Sequence, residues 1–302
     1  MRLSAALAAF SVFLFPLVMR AEEPATEIKP DVIYGHKMGM ALTFDVVKPK
    51  ANANGAGIMF MVSGGWVSTW VPPGQMINGW GKALGFGTLL EKGFTLFIVR
   101  HGSSPLFKVP ECVADVRLAT RYIRAHAAEY GVDEKRLGVF GASAGGHLSL
   151  MLGTTGDDGK PDSKNPLEKT SDRVAAVVAI FPPTELKSYV ESEKLRTQFP
   201  ALQFDASLWK TVSPVEHVSS DDPPTLLLHG GKDTLVPDKH SKEILKAFQD
   251  KGVATDLVMF PDAAHGFGPI DNLKAVAATV AWFEKYLAKP GTAEKPDAAA
   301  GK

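Results

Sequence analysis

The sequence predicts a three-layer α/β/α fold in which a mostly parallel, eight-stranded sheet lies between two layers of helices and carries a small cap insertion. Two observations lead to this prediction. Short, continuously apolar runs recur along the chain, as is typical of buried parallel strands. Amphipathic helical patterns separate these runs, and such alternation favours a parallel sheet covered on both faces.

The composition agrees with this fold class and excludes others. The chain has 302 residues, with 33 Lys and Arg against 33 Asp and Glu, and 45% of its residues are hydrophobic. The balanced charge argues against a nucleic-acid-binding protein, which is normally basic, and the apolar content excludes global disorder. The single cysteine, Cys112, excludes an intramolecular disulfide and a cysteine-based zinc site.

The N-terminal segment has the pattern of a secretory signal peptide. Arg2 supplies the initial positive charge, and the stretch Leu3–Met19 is uncharged. We expect residues 1–21 to be the signal and the protein to be exported, to the periplasm or outside the cell, without stable membrane association after signal removal. Cleavage after Ala21 would place the large Met19 at the −3 position, so an uncleaved membrane anchor is the alternative.

The predicted elements begin with a hairpin of edge strands and continue as buried strands that alternate with helices. The hairpin strands are Asp31–His36 and Ala41–Val47, and the buried strands are Gly57–Val62, Phe94–Val99, Arg136–Phe140, Val174–Ile180, Thr225–His229 and Thr255–Phe260. The clearest amphipathic helices are Glu111–Tyr130, Val236–Lys251 and Asp271–Leu287.

No internal linker requires a second domain, so residues 22–288 are expected to form one domain and residues 289–302 a flexible tail. The irregular insertion of residues 181–224, with scattered aromatic side chains, is predicted to be a small cap over the C-terminal edge of the sheet.

The sequence Gly-Ala-Ser-Ala-Gly at residues 141–145 matches the pattern G-x-S-x-G. It follows a predicted strand and opens a helical run, which is the setting of a nucleophile elbow. The sharp turn exposes the serine hydroxyl, and the flanking glycines let strand and helix approach closely. Ser143 is therefore the candidate nucleophile.

A serine hydroxyl needs a base, and that base needs an orienting acid. His265 is the best base, because it follows the last predicted strand on a loop that can reach the elbow. The other candidates fit less well: His147 is expected to pack one turn below the serine, His229 lies within an apolar strand, His217 belongs to the cap, and His240 is expected on an exposed helix face.

Asp233 is the predicted acid, because it lies in the loop after the penultimate strand, beside the loop of His265. Asp238 is the competitor, although its position after Pro237 is typical of a first helical turn. Asp262 is more naturally a residue that shapes the turn before His265.

An acyl-transfer site also needs hydrogen-bond donors for a developing oxyanion. The elbow provides the backbone N–H of Ala144. A second donor is expected in the glycine-containing stretch after the third strand, which reads Val62-Ser-Gly-Gly-Trp66.

Together these segments resemble the α/β-hydrolase superfamily over roughly residues 31 to 287, and most closely its carboxylesterase-like branch of feruloyl esterase-like, acetylxylan esterase-like and hormone-sensitive-lipase-like enzymes. The most specific segment is residues 130–148 around Ser143. The resemblance implies an α/β-hydrolase fold and the triad Ser143, Asp233 and His265. It also implies that the oxyanion-hole donors are Gly64, Gly65 and Ala144.

Two stretches depart from the pattern of that branch. It usually has His-Gly-Gly-Gly-Trp where this chain has Val62-Ser-Gly-Gly-Trp66, so the shape of this loop differs. The stretch Arg100–Ser104 after the fourth strand is also unusual, and we expect it to line the pocket.

We therefore expect a secreted serine esterase that cleaves carboxylic esters of small or aromatic acyl groups through an acyl-enzyme. Its substrate is expected to be a small-molecule or polysaccharide-linked ester, with no cofactor, no metal and no nucleic-acid partner. Two alternatives stay open: a prolyl-oligopeptidase-like serine peptidase, and a non-catalytic binding domain on a hydrolase fold.

Overall fold

The computed structural model describes residues 25–287. The predicted signal peptide and C-terminal tail therefore lie outside the described residues. Within them the strands are β1 (Thr26–Lys37), β2 (Met40–Pro49), β3 (Gly57–Met61), β4 (Thr95–Val99), β5 (Leu137–Ala142), β6 (Ala176–Ile180), β7 (Thr225–Gly230) and β8 (Thr255–Phe260).

These strands form one sheet in the order β1-β2-β4-β3-β5-β6-β7-β8. β1 and β2 form an antiparallel hairpin, β2 pairs antiparallel with β4, and every later pairing is parallel. Every residue of β3, β4 and β6 is buried, which explains why these strands are continuous apolar runs in the sequence. The predicted fold class is confirmed.

The described residues form α-helices on both faces of the sheet. They are α1 (Pro73–Asn78), α2 (Trp80–Ala83), α3 (Phe86–Glu91), α4 (Val109–Ala125), α5 (Ala144–Thr155), α6 (Lys187–Glu191), α7 (Glu193–Gln198), α8 (Lys239–Asp250) and α9 (Pro269–Tyr286).

Two apolar clusters fill the spaces between the layers. One joins α4, α5 and α8 to one face of the sheet, and the other joins α1, α3 and α9 to the opposite face. The predicted helix Glu111–Tyr130 is shorter than expected: it ends at Ala125, and a 3₁₀ turn, Ala127–Tyr130, follows. That turn ends at Gly131, whose φ of 69° lies in the left-handed region that glycine adopts readily.

The segment of residues 181–224 contains α6, α7 and three 3₁₀ turns, Pro200–Leu202, Ala206–Val212 and Pro214–His217. Its side chains Leu186, Ala201 and Val212 are buried in the same apolar cluster as α5. The segment therefore packs on the same face of the sheet as α5. No helix of the described residues is long and apolar enough to cross a membrane.

A buried ion pair joins β2 to the end of β4. The two guanidinium nitrogens of Arg100 bind the two carboxylate oxygens of Asp45 at 3.1 and 2.5 Å, and both side chains are almost completely buried. The carbonyl of Arg100 also accepts a hydrogen bond from the Tyr34 hydroxyl at 2.5 Å. This pair holds the chain where it leaves β4 toward the candidate site.

We expect Asp45→Ala to lower the free energy of unfolding by about 3–5 kcal/mol, because it removes the buried carboxylate that pairs with the buried Arg100 charge. The matched control is Asp250→Ala, which breaks the exposed Lys246–Asp250 pair and should change stability by less than about 1 kcal/mol. Urea unfolding of both variants measures the change in unfolding free energy. Equal losses of stability would contradict the expectation that the buried pair contributes more than the exposed one.

Candidate active site

Ser143 lies at a sharp turn between β5 and α5. Its backbone has φ 55° and ψ −120°, which is a strained conformation for a residue with a side chain. The glycines on either side are required by close packing: a Cβ on Gly141 would lie 2.4 Å from the carbonyl carbon of Gly145, and one on Gly145 would lie 2.6 Å from the Met61 oxygen. This is the geometry of a nucleophile elbow.

The structure brings Ser143, His265 and Asp233 into one hydrogen-bonded chain. The His265 Nε2 lies 3.0 Å from the Ser143 Oγ, and its Nδ1 lies 2.7 Å from the Asp233 Oδ2. Since a carboxylate can only accept, Nδ1 carries the proton and Nε2 is free to accept the hydroxyl proton of Ser143. The imidazole ring is packed on Phe181, with ring centres 4.5 Å apart.

The Asp233 carboxylate is completely buried and well supplied with donors. Its Oδ1 accepts the backbone N–H groups of Leu235 and Val236 at 3.0 and 2.9 Å, and the Nε2 of His229 lies 3.6 Å from Oδ2. Burial by itself would raise the pKa of Asp233, but the nearby His229 and His265 and these N–H groups outweigh burial and hold the pKa well below its usual range. The Asp233 carboxylate is therefore charged at neutral pH.

The competing carboxylates have other partners. Asp238 precedes α8 at its N-cap and pairs with Lys242 at 2.6 Å. Asp262 is exposed and pairs with Lys232 at 2.7 Å. In the described part of the chain, the carboxylate in contact with the His265 ring is that of Asp233.

Two of the other candidate histidines, His147 and His229, are buried and hydrogen-bonded. The His147 Nε2 donates to the Val212 carbonyl at 2.7 Å, and its Nδ1 accepts from the Trp66 indole N–H at 3.3 Å. His229 contacts the Ser241 hydroxyl and the Val236 carbonyl. Burial lowers the pKa of His147 to about 4, so this ring is neutral at physiological pH.

The prediction that His240 lies on an exposed face is wrong, because only 1% of this residue is exposed. The segment of residues 181–224 covers that side of α8. The Thr184 N–H and the Tyr189 hydroxyl lie 3.3 Å from its two ring nitrogens. Burial lowers the pKa of His240 to about 4. His217 lies near the surface, with its Nε2 2.9 Å from the Lys210 carbonyl.

The loop of residues 62–67 lies against the elbow and carries two of the expected oxyanion donors. Gly65 and Trp66 both have positive φ, 57° and 60°, which turns successive peptide groups. Gly64 is not free to donate, because its N–H binds the Val67 carbonyl at 3.0 Å and its own carbonyl accepts the Val67 N–H. The expectation for Gly64 is therefore corrected.

A small cavity of about 20 Å³ lies at the serine. Ser143, Gly65 and Ala144 line it together, and its other lining residues are Trp66, Pro183, Tyr189, Phe199, Leu235 and Val236. Ala144 is the first residue of α5, where backbone N–H groups have no partner within the helix. The Gly65 and Ala144 amides thus border the space next to the serine hydroxyl.

A larger cavity of about 250 Å³ borders the start of the loop of residues 62–67 at Val62. Its lining is mostly apolar and consists of Val62, Thr69, Val71, Gln75, Met76, Gly79 and Trp80. Neither cavity is lined by the stretch Arg100–Ser104, which was expected to line the pocket. Arg100 and His101 are instead buried below the loop, a role that sequence patterns alone did not indicate.

The chain is similar to known proteins in family and in fold. The BD-FAE family model matches residues 44–248, which include Ser143 and Asp233. The probable carboxylic ester hydrolase LipM of Mycobacterium tuberculosis is 28% identical over 273 residues, which cover 86% of this chain and 60% of LipM. The chain thus spans about three fifths of the length of that relative.

Two solved structures share the fold over nearly their whole length. A truncated carbohydrate esterase from gut microbiota has a TM-score of 0.73 and 25% identity, covering 89% of this chain and 99% of its own. Esterase 2 of Thermogutta terrifontis has a TM-score of 0.68 and 28% identity, covering 88% and 95%. Since the family match extends over more than half of the sequence, this chain belongs to the BD-FAE family, within the carboxylesterase-like branch of the α/β-hydrolase superfamily.

Proposed function

We propose that this protein is a serine hydrolase that cleaves carboxylic esters through an acyl-enzyme. The observation that carries the proposal is the chain of two hydrogen bonds, 3.0 Å from Ser143 to His265 and 2.7 Å from His265 to Asp233. In this proposal Ser143 is the nucleophile, His265 the general base and acid, and Asp233 the group that orients and stabilises the imidazolium. The names of the relatives, which include esterases, support the same reaction class.

The proposed reaction has two similar halves. The His265 Nε2 takes the proton of the Ser143 hydroxyl while Oγ attacks the ester carbonyl carbon, and the tetrahedral intermediate then expels the alcohol, which receives that proton. Water next attacks the acyl-enzyme, again with His265 as base, and the carboxylic acid leaves as the serine is regenerated. The charged, buried Asp233 stabilises the positive charge that forms on His265 in both halves.

The oxyanion of both tetrahedral intermediates is proposed to bind the N–H groups of Gly65 and Ala144. Both residues line the cavity that contains Ser143. Ala144 adds the positive end of the α5 dipole, which favours negative charge at this point. Gly65 has to be glycine, because its φ is positive and an added Cβ would lie 2.8 Å from the Phe199 ring.

The size of the cavity at the serine supports a small acyl group. The cavity at the serine is small, about 20 Å³, and Phe199 closes it over Gly65. An apolar pocket gains about 0.8 kcal/mol per buried methylene only while room remains. We therefore propose acetyl to butyryl esters as the preferred substrates.

The alcohol part of the substrate is proposed to be either a small molecule or a polysaccharide unit. The larger cavity supports a ring-shaped group, since it is bordered by Trp80, which is 57% exposed. The indole lies about 4.0 Å from the position of a Cβ on Gly64, so this cavity begins at the loop that carries the proposed oxyanion donor. The gut esterase that shares the fold is named a carbohydrate esterase.

Export is part of the proposal. Its support is the positively charged start and the uncharged stretch Leu3–Met19, which lie outside the described residues.

We expect Ser143→Ala to fold normally and to lose at least about 10⁴-fold of kcat, because no other group supplies the nucleophile. The same change should abolish labelling by a fluorophosphonate probe. Ser149→Ala is the matched control, because its hydroxyl is bonded to the Gly145 carbonyl of the same helix and should be dispensable for turnover.

Assays of p-nitrophenyl acetate hydrolysis and probe labelling on the folded variants check this expectation. An unlabelled, inactive wild-type protein would favour the non-catalytic binding domain. Activity retained by Ser143→Ala would refute the assignment of the nucleophile.

Asp233→Asn should lower kcat/KM by roughly 10³- to 10⁴-fold, because the amide cannot stabilise the imidazolium and favours the wrong tautomer of His265. Asp238→Asn, five residues along the same loop, should change it by less than about threefold, since that carboxylate pairs with Lys242. Steady-state kinetics on both variants test the choice of acid. A silent Asp233→Asn beside a damaging Asp238→Asn would reverse it.

The kcat/KM for p-nitrophenyl esters should be highest between acetate and butyrate and lowest at palmitate. Phe199→Ala should move the maximum to longer chains, because it removes the wall of the acyl cavity, whereas Phe204→Ala, which changes a nearby ring outside that lining, should not. A maximum at palmitate in the wild type would contradict the proposed pocket. Turnover of a prolyl anilide as fast as acetate would favour the peptidase.

A further inference from the structure

The two stretches that depart from the pattern of related enzymes lie next to each other in the structure. Residues 62–63 follow β3 and residues 100–104 follow β4, and these parallel strands are neighbours in the sheet. The side chains that make both stretches unusual are in direct contact. The Ser63 Oγ lies 2.9 Å from the His101 Nε2, and both residues are buried.

The hydrogen bonds determine which group donates. The His101 Nδ1 lies 2.8 Å from the carbonyl of Gly102, which can only accept, so Nδ1 carries the proton. Burial lowers the pKa of His101 to about 4, so the ring is neutral and its Nε2 is an acceptor. The Ser63 hydroxyl therefore donates a hydrogen bond to the His101 Nε2, and the His101 ring is held in place by its Nδ1–H bond to the Gly102 carbonyl.

Further hydrogen bonds join the same two loops. The Ser68 N–H donates to the Ser103 Oγ at 3.0 Å, and the His101 N–H donates to the Ser68 Oγ at 3.2 Å. The Ser104 N–H donates to the Trp66 carbonyl at 3.0 Å. The loop after β3 is thus fastened to the loop after β4 on both sides of Gly65.

This loop needs such support because its own conformation is strained. Gly65 and Trp66 both have positive φ, which is unfavourable for a residue with a side chain such as Trp66. A displacement of a proposed oxyanion donor by a fraction of an ångström weakens its contact with a developing charge. Ser63 is itself close to the elbow, since its carbonyl oxygen lies 3.5 Å from the position of a Cβ on Gly145.

We propose that His101, acting through the Ser63 hydroxyl, is a positioning residue that holds the Gly65 amide in place for the oxyanion. The inference rests on the proposed function, because the oxyanion belongs to the proposed reaction. Ser63 is 5% exposed and His101 4% exposed, so the pair is closed to an ester and does not form a second nucleophilic site.

The decisive variant is Ser63→Ala, which removes the hydrogen bond and leaves the backbone unchanged. We expect kcat on p-nitrophenyl acetate to fall about tenfold or more while KM changes less than about twofold, because the lost contact is one made in the transition state. Affinity for a trifluoromethyl ketone, which forms a tetrahedral adduct with an oxyanion, should fall by the same factor as kcat.

Ser104→Ala is the matched control. It is the same change in the adjoining loop, and the Ser104 hydroxyl is buried without a hydrogen-bond partner among the described residues. Its kcat should equal that of the wild type. At position 101, His101→Gln keeps an acceptor near the Nε2 position and should retain more activity than His101→Leu, which has a similar size and no acceptor.

A double-mutant cycle completes the test. If the two side chains act as a unit, Ser63→Ala combined with His101→Leu should be no slower than His101→Leu alone. A Ser63→Ala enzyme with wild-type kcat, or one whose kcat falls while ketone affinity is unchanged, would overturn the inference and leave the proposed function intact. Loss of the proposed function itself would appear separately, as activity retained by Ser143→Ala.

Discussion

The close contact of β3, β5 and α5 at the elbow is the constraint on which the rest of the site depends. Neither Gly141 nor Gly145 can carry a Cβ, because backbone atoms of the elbow and of β3 occupy that space. The same approach forces Ser143 into a left-handed backbone conformation, at a cost of about 1–3 kcal/mol. Burial of the surrounding strands offsets that cost. The result is a hydroxyl held rigidly at the end of the sheet, where the loops after β3, β7 and β8 converge.

The histidines near this point differ in burial, and burial separates their functions. His101 and His147 are buried, and the lowered pKa of each keeps it neutral, so each offers one fixed donor and one fixed acceptor. They behave as structural hydrogen-bonding groups for the loop of residues 62–67. The His265 side chain is 22% exposed and lies between the Asp233 carboxylate and the Ser143 hydroxyl, which is the position that the proposed general base requires.

Much of this could be predicted from the sequence, for physical reasons. Buried parallel strands need continuous apolar runs, so the sequence predicted the fold class, and the structure confirms it. The chain order of Ser143, Asp233 and His265 led to three residues that the structure brings into contact, although their roles stay a prediction.

The errors arose where tertiary packing decides the outcome. His240 is buried because the segment of residues 181–224 covers it, and the Gly64 N–H is occupied by the Val67 carbonyl. The helices α1–α3 were not predicted, because they are short and lack a clear apolar period. The contact of Ser63 with His101 joins residues 38 positions apart, which no local pattern reveals.

The segment of residues 181–224 touches the site at two points of different kinds. Phe199 contributes a side chain to the wall of the cavity at Ser143, whereas Val212 contributes a main-chain oxygen that fixes the His147 ring and, through it, the indole of Trp66. Exchange of the whole segment for that of a relative would therefore disturb the loop of residues 62–67 together with the cavity at Ser143. Selectivity of the proposed site should therefore be adjustable by single substitutions such as those at Phe199, but not by transfer of the whole segment from a relative.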